Sequence, residues 1–264
     1  MNRSVLTKFE YAAKKDFSYP RIIDTLRTMT RRNPGAILSR ILQEAKIAAE
    51  SGRPIRAVFD LDSTIFEVAP RTQQILKEFV ETKENHPPFA TFFERLNTVQ
   101  ILPDDWGLKS AVERHGLLDM PEELRKLLIQ FWRERFFSDD YLKWDTPYEG
   151  AVEFVLKLKA VGTKIYFLTG RDEIRMGLGT REILKKWGLP TEKEGATLIL
   201  KKQSGGDDGH YKAEALKKID GVIWFFENEP VNVNLVRRAH SQVEIIFFDS
   251  THSGRETDPS DLPR

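Results

Sequence analysis

Cysteine is absent from this 264-residue chain, which excludes disulfides, thiolate metal sites and cysteine nucleophiles. It says little about compartment, because a chain without thiols is stable in either redox setting. An excess of charge is lacking too, with 41 basic against 40 acidic residues. No general polyanion-binding field follows, and no nucleic-acid partner is expected. No stretch approaches the roughly 20 apolar residues of a membrane span, and Met1 to Asp16 has no continuous apolar h-region. The reading is a soluble, cytoplasmic protein with no membrane partner. A 40% hydrophobic content is enough for a substantial core.

The most informative stretch is Arg56-Ala57-Val58-Phe59-Asp60-Leu61-Asp62-Ser63-Thr64, where an apolar strand runs into two carboxylates separated by one residue. In extended chain such positions share a side, so Asp60 and Asp62 leave the carboxyl end of the strand together. Open α/β sheets bind ligands at that edge. The pair suits a hard cation such as Mg2+, and one acid can attack phosphorus while the other handles the proton. The dipeptide spacing alone also fits metal-dependent sugar transferases or solvated turn residues, so context has to decide.

Five short apolar runs predict strands: Ile55 to Phe59, Lys164 to Leu168, Thr197 to Leu200, Val222 to Phe226 and Glu244 to Phe248. Helical patterns alternate with the later ones, and Thr146-Pro147-Tyr148-Glu149 reads as a capping box ahead of the second strand. This order predicts an α/β fold, a Rossmann-like, doubly wound parallel sheet. Roughly 100 residues separate the first two strands, more than one crossover needs. Gln74 to Glu81, Phe89 to Leu96, Leu108 to His115 and Pro121 to Phe137 have helical spacing there, with loops at Asn85-His86-Pro87-Pro88 and Pro103-Asp104-Asp105.

The expected organisation is therefore an N-terminal helical extension over 1–52, a core over 53–66 and 146–250, an inserted all-helical cap over 67–145, and a loose tail over 251–264. Within the extension, Ile22, Ile23, Leu26 and Met29 mark one helix, and Ile37, Leu38, Ile41, Leu42, Ala45 and Ala48 a second, broken at Asn33-Pro34-Gly35. Their arginines (Arg21, Arg27, Arg31, Arg32, Arg40) could face an anionic partner, but packing of both helices on the core is favoured.

Each later strand delivers polar groups at its carboxyl end. Thr169-Gly170-Arg171 follows the second, where a hydroxyl and an amide can bond phosphate oxygens. Lys212 opens the helix after the third and could neutralise nucleophile and phosphate together, with Lys201 and Lys202 as competitors. Glu227-Asn228-Glu229 follows the fourth and offers oxygen ligands.

This succession resembles the haloacid dehalogenase-like hydrolase superfamily over about residues 55 to 249, in its phosphatase-type branch. The resemblance implies that Asp60 is a nucleophile forming an aspartyl phosphate. It implies that Asp62 protonates the leaving oxygen and then activates water, its backbone carbonyl binding Mg2+. Thr169, Gly170 and Lys212 would hold the phosphoryl group, and Asp60, Asp62, Glu227 and Asn228 the metal. The fourth motif departs from the family, which uses aspartates there.

A helical cap after the first motif implies a small phosphomonoester, with Glu67, Arg71 and Arg171 as possible substrate contacts. Trp106, Trp132, Trp144, His86 and His115 read as cap packing. The activity these features point to is a Mg2+-dependent phosphomonoester hydrolase. A phosphotransferase or phosphomutase on the same scaffold, or a non-catalytic binding module, are the alternatives.

Overall fold

A computed structural model describes residues 33–257 and 259–264. The first predicted helix, with Ile22, Ile23, Leu26 and Met29, lies outside the described residues, as do Arg21, Arg27, Arg31 and Arg32.

Helix α1 (Pro34–Glu50) opens where Asn33-Pro34-Gly35 predicted a break: Asn33 accepts from the Ala36 amide at 3.0 Å, and Pro34 sits in the first turn. Ile37, Ile41, Ala45 and Ala48 are buried one and two turns apart and join the main core. Arg40 is buried with them, its guanidinium 2.8 Å from Glu44 and 2.6 Å from Glu244. It is a packed ion-paired residue, not part of a free basic surface.

Five strands form one parallel sheet: β1 (Arg56–Phe59), β4 (Lys164–Asp172), β5 (Thr197–Lys201), β6 (Val222–Glu227) and β7 (Glu244–Phe247), in the order β5-β4-β1-β6-β7. The first strand is central, and the chain winds outward to one side and then to the other. The fold is thus the expected doubly wound α/β arrangement, with β1 and β6 flanking the crevice where the winding changes direction.

Period-two alternation places successive side chains on opposite faces. Ala57 and Phe59 of β1, with Phe167, Trp224 and Phe226, join α1, α7 (Ala151–Ala160) and α8 (Glu173–Lys186) on one face. Val58, Leu168, Phe225, Ile245 and Phe247 join α9 (Asp208–Leu216) and α10 (Pro230–Ala239) on the other. Phe59 and Phe226 stack with centroids 4.4 Å apart, which locks β1 to β6 directly beneath the acid-bearing ends.

Two departures from local pattern concern how the insertion leaves and re-enters the core. Strand β2 (Phe66–Glu67) pairs antiparallel with β3 (Thr146–Pro147), so Thr146-Pro147 is a strand and not the start of a capping box. Helix α7 begins only at Ala151, after Gly150 in the left-handed region at φ 77°. Pairing of the exit and return segments prevails over the local capping signal. Strand β4 runs on through Thr169 to Asp172 with an irregularity after Leu168, and Asp172 then caps α8 by accepting from the Arg175 amide.

Between β2 and β3 lie α2 (Ala69–Glu81), α3 (Ala90–Leu96), α4 (Gly107–Arg114), α5 (Glu122–Phe136) and α6 (Asp139–Leu142). The Asn85-Pro88 region, predicted as a loop, forms two short 3-10 turns. These elements have their own apolar cluster, including Leu76, Phe79, Phe93, Leu96, Leu124 and Leu128. His86 stacks against Phe79 and Phe93, so it packs as expected. Trp106 and Trp144 stand outside that cluster, 44% and 40% exposed.

The segment after Thr251, expected to be loose, is tied down. The Pro263 carbonyl accepts from the Phe247 amide at 2.9 Å, Ser253 bonds Glu229 through its amide and its hydroxyl, and Arg237 pairs with Asp261. An unpaired edge amide and a buried carboxylate recruit it, and neither leaves a periodicity in the sequence.

Helix α8 meets α6 at Gly179, where an added Cβ would lie 2.6 Å from the Asp139 carbonyl oxygen, whereas at Gly177 it would meet only the flexible ends of Glu173 and Arg181. Gly179→Ala should therefore destabilise the fold by about 1–3 kcal/mol. Gly177→Ala should be neutral or stabilise by up to about 1 kcal/mol through helix propensity. Urea denaturation checks both, and equal effects would contradict this packing.

Candidate active site

The carboxyl ends of β1, β4 and β6 and the start of α9 converge on one cavity of about 720 Å3. Asp60, Asp62, Thr169, Gly170, Arg171, Lys212, Glu227 and Asn228 all line it. Glu67 and Arg71 are not among its lining residues.

Asp60 leaves β1 nearly buried, with its amide bonded to the Phe226 carbonyl. Its Oδ1 accepts from Lys212 Nζ at 2.6 Å, and the same ammonium is 2.6 Å from Glu227 Oε2. Lys212 thus bridges two buried carboxylates. Burial lowers the affinity of this ammonium for its proton, but Asp60 and Glu227 outweigh burial and hold the group above its ordinary pKa. Burial pushes the Asp60 carboxyl up to about 7 against the pull of Lys212, and the charge on Glu227 adds to the rise. When Asp60 is ionised, two acids against one ammonium leave an excess negative charge in a desolvated site.

The competing lysines are elsewhere. Lys201 bonds the Gly205 and Gly206 carbonyls and pairs with Asp208, bracing the loop ahead of α9, while Lys202 is exposed. Thr169 is fully buried, its hydroxyl accepting from the Arg171 amide at 3.3 Å.

The fourth motif lies at the carboxyl end of β6. Glu227, expected to be a metal ligand, is fully buried, with Oε1 accepting the Asn228 and Glu229 amides and Oε2 accepting Lys212 and Asn232. It lines the cavity as a buried counter-ion to Lys212. Asn228 Oδ1 and Asp60 Oδ2 share a neighbour: the Thr64 hydroxyl lies 3.2 Å from each. Among the described residues no three acidic or histidine side chains gather as a metal cluster. A carboxylate and an amide oxygen converging beside an excess negative charge are nonetheless a hard-donor set suited to Mg2+, which keeps several waters of its own.

The two carboxylates of the first motif have opposite environments. Asp62, a third exposed, accepts from Arg71 Nη2 at 2.7 Å and from Arg171 Nε and Nη2 at 2.9 and 2.8 Å. Partial burial opposes its ionisation, but Arg171 and Arg71 outweigh burial and hold the carboxyl well below the usual range. Both arginines also bind Asp145, at 2.5 Å from Arg71 and 2.8 Å from Arg171, and Arg71 reaches the Phe136 carbonyl of α5. Two acids and two guanidiniums balance.

Arg71 and Arg171, expected as substrate contacts, are buried and committed to this network. Sequence reasoning missed Asp145, whose partner Arg71 lies 74 residues away. Ser63 makes the turn between these networks in the left-handed region at φ 58°, a conformation that ordinarily favours glycine.

Sheet and site together define an α/β enzyme with a carboxylate pair and a lysine at the crevice of a doubly wound sheet, beneath a helical insertion. Residues 56–219 match the family model of the haloacid dehalogenase-like hydrolases, and the chain belongs to that family. A comparison with curated proteins finds no match. Among solved structures it is similar to a predicted phosphatase from Clostridium acetobutylicum, at 18% identity over 80% of this chain and 91% of that one, with a TM-score of 0.45. It is also similar to a haloacid dehalogenase-like hydrolase from Streptococcus pneumoniae, at 11% identity over 73% and 84% with a TM-score of 0.44. Protein Tyrosine Kinase A of Mycobacterium tuberculosis is a third, at 14% identity over 79% and 90% with a TM-score of 0.48. The assignment rests on the family match.

Removing Arg71 would leave the fully buried Asp145 with one guanidinium in place of two. Arg71→Met should cost about 3 kcal/mol in urea denaturation. A loss below about 1 kcal/mol would mean that the network contributes little to the fold.

Proposed function

We propose that this protein is a Mg2+-dependent phosphomonoester hydrolase that works through an aspartyl phosphate on Asp60. The observation that carries the reading is the Asp60 carboxylate, buried at a strand end, 2.6 Å from Lys212 and opening onto a cavity shared with Thr169, Gly170 and Asp62. An Asp60 oxygen attacks phosphorus, the P–O bond to the alcohol breaks, and Asp62 gives the leaving oxygen its proton. Water then attacks phosphorus, passing a proton to Asp62, and inorganic phosphate and free Asp60 result. Lys212 keeps its charge beside Asp60 throughout, and Thr169 with Gly170 borders the phosphoryl oxygens. A bound Mg2+, held by Asp60, the Asp62 carbonyl and Asn228, supplies positive charge that offsets phosphate and nucleophile.

Asp62 as it stands is an anion, the form that accepts a proton from water. Its protonated form requires a guanidinium to withdraw. Arg71 sits on α2 of the insertion, so movement of the insertion, acting as a cap, would withdraw one of the two guanidiniums that hold Asp62 ionised, leaving Arg171 of β4 in place. A phosphotransferase would follow the same first step with an acceptor hydroxyl in place of water.

Phosphate release from small phosphomonoesters should require Mg2+, stop with EDTA and vanish in Asp60→Asn. Appreciable turnover in that variant would remove Asp60 as nucleophile. Lys212→Ala should lower kcat by about a hundredfold or more, and Lys201→Ala far less; the reverse ranking would move the phosphate-binding lysine.

In a Mg2+ titration, Asn228→Asp should lower the concentration needed for half-maximal rate, because a carboxylate replaces an amide. Glu229→Gln should leave it near the wild-type value, since Glu229 is held by Ser253. A shift confined to Glu229→Gln would make that residue the ligand.

A further inference from the structure

The same cavity that holds Asp60 and Lys212 extends into the helical insertion, and its character changes there. The wall comes from α4, α5 and the turn between them, and is made of Trp106, Val112, Leu118, Ile129, Trp132 and Phe136 among other apolar side chains. Three of these are conspicuously open: Trp106 is 44% exposed, Leu118 68% and Ile129 45%. Scattered exposed apolar residues are ordinary, but several gathered on the wall of one concave site are not.

Few polar groups stand on this wall, and those of Lys109 and Glu113 lie on its exposed side. Arg125 donates to the Leu118 and Met120 carbonyls, and Lys109 and Glu113 pair with each other at 3.7 Å. A sugar or polyol leaving group needs partners for several hydroxyls, and each one buried here without a partner costs binding. An alkyl or aryl group needs none and gains from covering the wall. A volume near 720 Å3 far exceeds what a phosphoryl group fills and lies within the range of sites for medium-sized apolar ligands.

We infer that the alcohol released by this enzyme is apolar: the substrate is the phosphomonoester of a medium-chain alkyl or aromatic alcohol, its phosphate on Asp60 and Lys212 and its hydrocarbon against α4 and α5. The inference rests on the phosphomonoester reading for the polar end and adds the chemistry of the leaving group.

The test compares n-octyl phosphate, kept below its micelle concentration, with glycerol 1-phosphate. Both esters carry primary alcohols, so the comparison isolates apolar contact. Calorimetric binding to the Asp60→Asn protein with Mg2+ should be at least about tenfold tighter for the octyl ester. In the Asp60→Asn background, adding Leu118→Asp and Ile129→Asp together should reduce that ratio severalfold or more. Adding Ile174→Asp, on an exposed residue outside the cavity, should preserve it. Equal or tighter binding of glycerol 1-phosphate, or an octyl preference untouched by the Leu118 and Ile129 changes, would overturn the inference.

Hydrolysis of acetyl phosphate by the wild-type enzyme, which needs no leaving-group pocket, tests the underlying chemistry separately. Its absence with octyl selectivity intact would count against the hydrolase reading and in favour of the apolar site.

Discussion

A buried ammonium shared between two buried carboxylates organises this molecule's chemistry. Lys212 keeps its charge in this buried position because Asp60 and Glu227 flank it at 2.6 Å, and Lys212 in turn pulls against the burial that raises the Asp60 carboxyl. Loss of either acid would change the charge of the whole pocket. The arrangement also gives the altered fourth motif a definite place in the site. Glu227 is one methylene longer than the usual aspartate and reaches under the strand ends to the lysine, while Asn228 takes the place beside Asp60. The excess negative charge that results is what a divalent cation and a positioned phosphate would balance.

A second, neutral network lies a few residues away in sequence and serves a different purpose. Asp62, Asp145, Arg71 and Arg171 join the first motif, the insertion and β4 through charge-assisted bonds. Such a cluster is weak evidence for stability and better evidence for geometry, because its members are satisfied in one arrangement. It ties Asp62 of the first motif to α2 of the insertion through Arg71. The two carboxylates of one short motif thereby acquire opposite tendencies, one raised by burial and one lowered by guanidiniums.

Much of this was legible in the sequence because the signals were local. Apolar runs ending in polar residues located the five strands, and the two-residue spacing of Asp60 and Asp62 fixed their common edge. Lys212 was separable from Lys201 only by its place at the start of a helix. The misreadings share a cause: they depend on partners distant in the chain. Arg71 looked like a mouth residue until Asp145 and the Phe136 carbonyl claimed its donors. The bonds that Glu227 accepts from two backbone amides and from Lys212 were likewise not visible in its motif. Trp106 looked like packing, yet it borders the cavity, because helical spacing alone does not distinguish a face turned to a core from a face turned to a site. The final segment carried no periodicity, and what holds it is a sheet-edge amide and Glu229.

The central claim is that Asp60 carries the phosphoryl group. Acetyl phosphate loses acetate without needing a general acid, so an Asp62→Asn protein should accept its phosphoryl group and fail to release it. Acid quenching, borohydride reduction and peptide mass spectrometry should then find homoserine at position 60. Incorporation at another residue, or none in that variant while the wild-type enzyme hydrolyses acetyl phosphate, would contradict the account.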